Sequence, residues 1–146
     1  MAVVIRQAEV EDVAAIYRLG ETCYERTDKP YNYWTLREVA DHVESAPGLC
    51  FVAEADGDVV GFALAAPSYE VLEETGHLEW VAVAPDQRRT GLAKRLVEAV
   101  VDELRTLGCR DVVADVSSVN EASRSLFFDA GFDEGISVTF FTRRLR

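Results

Sequence analysis

Val81-Ala82-Val83-Ala84-Pro85-Asp86-Gln87-Arg88-Arg89-Thr90-Gly91-Leu92-Ala93-Lys94-Arg95-Leu96 changes character twice along its length. It opens as a short apolar strand, turns at Pro85-Asp86 and runs through a cationic loop that contains Gly91. From Gly91 onward Leu92, Leu96, Val97 and Val100 recur at helical spacing. The first turn of a helix carries backbone N–H groups with no intrahelical partner. The helix dipole adds partial positive charge at the same point, so a strand, loop and helix in this order suit a phosphate group. Arg88 and Arg89 add formal charge, Gly91 lets the backbone come close to a ligand, and Ala93 keeps the next turn small.

Upstream of this stretch, Val3-Val4-Ile5-Arg6 reads as a β-branched strand. Acidic residues from Glu9 to Asp12 then open a helix that carries Val13, Ile16, Tyr17 and Leu19 to about Cys23. Residues 27–33 form a loop with Pro30 and aromatic side chains, after which Thr35 and Glu38 make a capping box for a second helix. That helix carries Leu36, Val39, Ala40 and Val43 and ends before Pro47-Gly48. Leu49 to Ala55 and Val59 to Ala65 are β-prone runs joined by Asp56-Gly57-Asp58, a hairpin signal. After an acidic connection over 69–76, His77 to Ala84 is the strand that leads into the loop. Downstream, Gly108 stops the long helix, Asp111 to Val116 is a strand, Glu121 to Ala130 a helix stopped by Gly131, and Val138 to Leu145 a last strand. The order is β-α-α-β-β-β-α-β-α-β, with no repeat or linker. It predicts a single α/β (α+β) domain over residues 1–146 with helices on both faces of a mixed, twisted sheet and a right-handed crossover.

Composition narrows the class. The chain has 146 residues, 49% of them hydrophobic and 28% charged, which suits one soluble globular domain. No apolar run approaches a membrane span, and the first residues lack a signal-peptide pattern. Cys23, Cys50 and Cys109 are odd in number and widely spaced, which reads as reduced thiols in a cytoplasmic protein. The formal net charge of −11 argues against nucleic acid and favours cationic partners, or serves solubility alone. Lys29 and Lys94 are the only lysines, an acidic, arginine-biased composition compatible with either a high-salt cytoplasm or a GC-rich genome.

Arg88-Arg89-Thr90-Gly91-Leu92-Ala93 resembles the R/Q-x-x-G-x-G/A pyrophosphate loop of the GCN5-related N-acetyltransferases, the GNAT superfamily. Asn120-Glu121-Ala122-Ser123-Arg124-Ser125-Leu126-Phe127-Phe128-Asp129-Ala130-Gly131-Phe132 resembles the family pattern N-x-x-A/S-x-x-L-Y-x-x-x-G-F. The element order is also the family's, so the resemblance spans nearly the whole chain. It implies the GNAT fold, with six to seven strands, and acetyl-CoA as co-substrate without a metal. Val81, Ala82 and Val83 would run beside the pantetheine arm and Arg88 to Lys94 would hold the pyrophosphate. Asn120 and Phe127 would meet the pantetheine or thioester. Asn120 also reads as a plain N-cap with Ser123 at the third helical position.

Phe127 departs from the pattern. In many relatives a tyrosine there is proposed to protonate the leaving CoA thiolate, and phenylalanine has no proton to give. Another group or water would serve, or the thiolate would leave unaided, which a thiol of pKa about 8.5 tolerates. A neutral amine attacking a thioester needs a base to take its proton. Alternation puts His77 and Glu79 on one face with Val81 and Val83. Acids or histidines at these positions act as bases in relatives, which ranks Glu79 first and His77 second. Asp115 aligns with an acid of the ribosomal-protein alanine acetyltransferases. His77 also reads as a solvent-facing strand end, and Asp115 as a carboxylate held by backbone N–H groups. Tyr31, Tyr33 and Trp34 fall where the family places its acceptor loop and would either shape an amine pocket or cover the sheet edge.

These readings converge on transfer of acetyl from acetyl-CoA to a primary amine, on a protein N-terminus or a small molecule, by direct attack in a ternary complex. A backbone N–H within Val81–Val83 would stabilise the oxyanion. A catalytically silent acyl-CoA sensor or scaffold is the alternative, favoured by Phe127. A nucleotide-phosphate binder using the same loop is a remote third reading, disfavoured by the missing Gly-Lys-Ser/Thr of a P-loop. No membrane or nucleic-acid partner is implied, and a homodimer is compatible with the chain.

Overall fold

The computed structural model describes residues 2–24 and 33–146. Tyr31 lies outside the described residues. The elements run β1 (Val4–Gln7), α1 (Val13–Cys23), α2 (Leu36–Ser45), β2 (Cys50–Ala55), β3 (Asp58–Ala66), β4 (Thr75–Val83), α3 (Leu92–Thr106), β5 (Asp111–Ala114) and α4 (Glu121–Asp129), with short 3-10 turns between some of them. The strands form one sheet in the order β1-β2-β3-β4-β5. Neighbours are antiparallel from β1 to β4, and β4 pairs with β5 in parallel, as the α3 crossover requires.

The sheet separates two cores. Phe51, Ala53, Ala63 and Leu78 face α3 and Phe127 of α4, meeting Leu96, Val97, Val100 and Leu104. Val52, Phe62, Leu64 and Trp80 face α1 and α2, meeting Ile16, Val39 and Val43. α1, α2 and α3 therefore bury most of the apolar stripes that their spacing foretold, although Leu36 of α2 is 51% exposed. Asp56 and Gly57 take positive φ angles of 52° and 83°, closing the β2–β3 hairpin with Ala55 opposite Asp58. This is the two-residue turn that Asp-Gly favours. Thr35 caps α2 by accepting the Glu38 N–H at 3.0 Å, while the Glu38 carboxylate accepts the Trp80 indole N–H at 3.0 Å.

The sheet is smaller than the six to seven strands expected. Among the described residues it has five, and residues 138–145 form no strand. Phe141 is 95% exposed and Val138 69%, and among the described residues no strand pairs with this segment. β propensity alone does not make a strand; pairing does.

A second correction concerns β4. Leu64 pairs with Trp80 but Ala65 pairs with Leu78, so Glu79 is an extra residue opposite no partner. Such a bulge reverses the side-chain alternation. Leu78 consequently faces the α3 core, as do Val81 and Val83, whereas Trp80 faces the α1–α2 core. His77, next to Leu78, is on the α2 side. The expected shared face is split: His77 and Glu79 lie on the α2 side, and Val81 and Val83 on the α3 side.

Candidate active site

β4 and β5 part company half-way. Their pairing runs from Thr75 opposite Asp111 to Leu78 opposite Ala114, and β4 then continues to Val83 paired with β3 but without β5. A cleft of about 700 Å³ opens at this fork. Val81, Ala82 and Val83 form its strand wall, Phe127 contributes an apolar side, and Glu79 and Asp115 supply carboxylates.

The unpaired edge of β4 offers backbone groups. The Val81 carbonyl accepts the Tyr24 hydroxyl at 2.8 Å and the Val83 carbonyl accepts the Cys23 thiol at 3.7 Å. Both carbonyls therefore point away from β3, and the N–H groups of the same residues leave the strand on that side too. Tyr24 is held by aromatic contacts with Trp34, Phe62 and Trp80, at centroid distances of 5.1, 6.3 and 4.9 Å.

At the cationic end, Arg89 and Gly91 have φ angles of 63° and 81°. Left-handed backbone costs a non-glycine residue roughly 1–2 kcal/mol, and at Arg89 it is part of the turn into α3. Gly91 is the N-cap and offers no side-chain acceptor, so the first-turn N–H groups are left for a ligand. A side chain built at Gly91 would meet nothing within 4 Å, so its conformation, not crowding, is what calls for glycine. Arg88, Arg89, Leu92, Ala93 and Lys94 line the cleft with it. Thr90 instead donates its hydroxyl to the Gln87 carbonyl at 2.6 Å and braces the loop.

Asn120 lines the cleft while capping α4, its Oδ1 accepting the Ser123 N–H at 3.1 Å. The cap uses the carbonyl oxygen, so the amide nitrogen remains a donor for a ligand. Phe127 is 9% exposed and packs edge-on against Phe132 at 5.1 Å.

The candidate bases form two pairs. Glu79 Oε1 lies 3.1 Å from His42 Nε2 of α2, and His77 Nε2 lies 2.8 Å from Asp115 Oδ1. His77 stands behind Asp115 rather than on the cleft wall, with the Tyr69 ring edge-on at 4.8 Å. Glu38, His42 and Glu79 bring their donor atoms within 4.8 Å of one another, and among the described residues no other such trio occurs. Hydrogen bonds to Trp80 and within the trio tie it together as a network. Of the expected acceptor aromatics, Tyr33 is 51% exposed and off the cleft wall. Trp34 is likewise off the wall. Its indole N–H donates to the Tyr17 carbonyl at 2.9 Å and its ring stacks on Phe62, so it supports the core beneath the cleft. Sequence reading missed Cys23, Tyr24 and His42. No motif marks them, and only the packing of α1 and α2 on β4 brings them to the site.

The sequence profile of the Acetyltransferase (GNAT) family matches residues 13–132. The chain is a GNAT acetyltransferase. It is an enzyme that transfers acetyl from acetyl-CoA to amines. Aminoglycoside N(6')-acetyltransferase type 1 of Salmonella typhimurium is 34% identical to this GNAT protein over 110 residues, 72% of each chain. The catalytic subunit of the N-terminal acetyltransferase A complex of Arabidopsis thaliana is 36% identical over 98 residues, 66% of this chain and 48% of its own. Among solved structures, the aminoglycoside acetyltransferase AAC(6')-Iy bound to a CoA–acetylneamine bisubstrate analogue superposes with a TM-score of 0.79. It is 26% identical and covers 99% of both chains. Among the described residues no helix is long and apolar enough to cross a membrane.

Proposed function

We propose that acetyl-CoA lies in the β4–β5 cleft and that a small cationic amine is the acceptor. The observation that carries this reading is that one cleft joins the Arg88–Lys94 loop to Glu79 and Asp115. The pyrophosphate would sit on the first-turn N–H groups of α3 with Arg88 and Arg89 beside it. The pantetheine arm would run along Val81–Val83 as an added strand, taking over the carbonyls that Tyr24 and Cys23 now occupy.

The acceptor nitrogen attacks the thioester carbonyl directly. Its proton passes to Glu79, directly or through one water. Negative charge on the carbonyl oxygen is met by a backbone N–H of Val81 or Val83. When the intermediate collapses, the C–S bond breaks and the electron pair leaves on sulfur. Phe127 donates nothing, and the thiolate departs unaided, as a thiol of pKa about 8.5 can. His77 orients Asp115, and Asp115 attracts the ammonium form of the acceptor.

The carboxylates of Glu79 and Asp115 on the cleft wall and a net charge of −11 favour a polyamine or aminoglycoside-like acceptor over a peptide N-terminus. The aminoglycoside acetyltransferase likeness points the same way. CoA release measured in parallel with aminoglycosides, polyamines and short peptides tests the reading. The small amines should be turned over with the higher kcat/KM, and a preference for peptides would overturn the acceptor class.

A further inference from the structure

α2 closes the wall behind Glu79, and the side chain it places there is His42. His42 is 7% exposed, with Nε2 at 3.1 Å from Glu79 Oε1 and Nδ1 at 3.4 Å from the Ala65 carbonyl oxygen. A carbonyl oxygen only accepts, so Nδ1 is the nitrogen that carries hydrogen. Two states of the pair remain. In one, Nε2 also carries hydrogen and the cationic ring donates to a Glu79 carboxylate. In the other, a neutral ring accepts from a protonated Glu79. Only the first leaves Glu79 a base.

The surroundings favour the cation. Burial opposes it, but the hydrogen bond and charge of Glu79, the charge of Glu38 and the Ala65 carbonyl outweigh burial and hold the His42 pKa above its ordinary value. Glu38 stands one turn earlier on α2 and is itself anchored to Trp80 of β4. From β2, the Cys50 thiol shares the Ala65 backbone, and burial pushes its pKa up to about 11, so it stays neutral. At the fork His77 Nε2 of β4 lies 2.8 Å from Asp115 Oδ1 beyond β5, and Arg88, Arg89, Lys94 and Asp129 line the same cleft. The bulge completes the arrangement, because it is what puts Glu79 within reach of α2 and on the cleft wall at once.

We propose that His42 is a positioning residue for acetyl transfer: as an imidazolium it keeps Glu79 ionised and fixes Glu79 Oε1, so that the carboxylate meets the acceptor charged and oriented. This rests on Glu79 being the base. A carboxylate withdrawn from water resists ionisation unless a cation faces it. Without His42 the base would lose the imidazolium that faces it, and activity should fall mainly on the acid side.

The test compares pH profiles of kcat/KM for wild type, His42→Gln, Glu79→Gln and the double variant, with one acceptor and saturating acetyl-CoA. Gln keeps a hydrogen-bond donor and removes the charge. His42→Gln should move the acid limb up by about one pH unit, a loss of about tenfold below it, with near wild-type rates at high pH. The double variant should be no slower than Glu79→Gln alone, since the two act as a unit. If Glu79→Gln is impaired while His42→Gln superposes on wild type, the positioning role falls and the base stands. Wild-type rates in Glu79→Gln would remove the base and the role of His42 with it. NMR of the imidazole in the unmutated enzyme gives a reading that needs no variant to fold: His42 should be cationic at neutral pH, and a neutral ring would overturn the proposal.

Discussion

The Tyr24 hydroxyl donates to the Val81 carbonyl across 2.8 Å, from the end of one helix to the open edge of the strand that forks from β5. This bond occupies a backbone acceptor that, in the proposed binding mode, a pantetheine amide would use. Tyr24→Phe should therefore tighten acetyl-CoA binding. One hydrogen bond is worth about 1 kcal/mol net, so the gain should be roughly fivefold in Kd, with a comparable loss of stability. Weaker donor binding by calorimetry would show that the hydroxyl contacts the donor instead of competing with it.

Gly91→Glu places bulk, negative charge and a strained left-handed residue at the N-terminus of α3, where φ is 81°. CoA affinity should fall at least about a hundredfold, some 2.7 kcal/mol, while the far-ultraviolet spectrum keeps its helical content. An unchanged Kd would remove the loop from the cofactor site.

Phe127→Tyr restores a hydroxyl where the family pattern has one. General acid catalysis can reach about 10²-fold when a proton is limiting, but a thiolate leaves readily. A change in kcat of no more than about threefold is predicted. A hundredfold gain would mean that protonation of the thiolate limits the wild-type enzyme.

Much of this architecture was legible in the chain. Asp56-Gly57 marks its hairpin because few residue pairs accept two positive φ angles, and Leu92, Leu96, Val97 and Val100 mark α3 because they recur on one face. The loop at Arg88–Lys94 and the cap at Asn120 were readable for the same local reasons. What was hidden is non-local. The extra residue at Glu79 is defined only by the register of β3 against β4, and alternation counted along β4 alone puts it on one face with Val81 and Val83. The partnership of Glu79 with His42 spans 37 positions and depends on how α2 lies on the sheet. Residues 138–145 show the opposite failure, a strand-like pattern with no strand.

Away from the site, the Arg6 guanidinium bonds Asp12 at 2.8 and 3.0 Å and Glu54 at 2.7 and 2.9 Å, tying β1 to β2 and to the start of α1. The hydrogen bond from Arg6 holds the Asp12 carboxyl below its ordinary value of 3.8, against the opposing effect of burial. A depressed folded-state pKa contributes stability that is present above the unfolded value and lost as pH falls through the folded one. Arg6→Met should cost about 1–3 kcal/mol at neutral pH, and the gap from wild type should narrow as pH falls below 3.8. Urea midpoints for both proteins between neutral pH and pH 3 check this. A gap that persists into acid would assign the loss to packing.

Acetyl transfer by Glu79→Gln, followed as acceptor-dependent CoA release from neutral pH to about pH 10, tests the catalytic account most directly. A missing general base should cost about 10²-fold or more at neutral pH, and the deficit should shrink as the acceptor amine deprotonates in solution. Rates equal to wild type at every pH, or a deficit that does not change with pH, would contradict it.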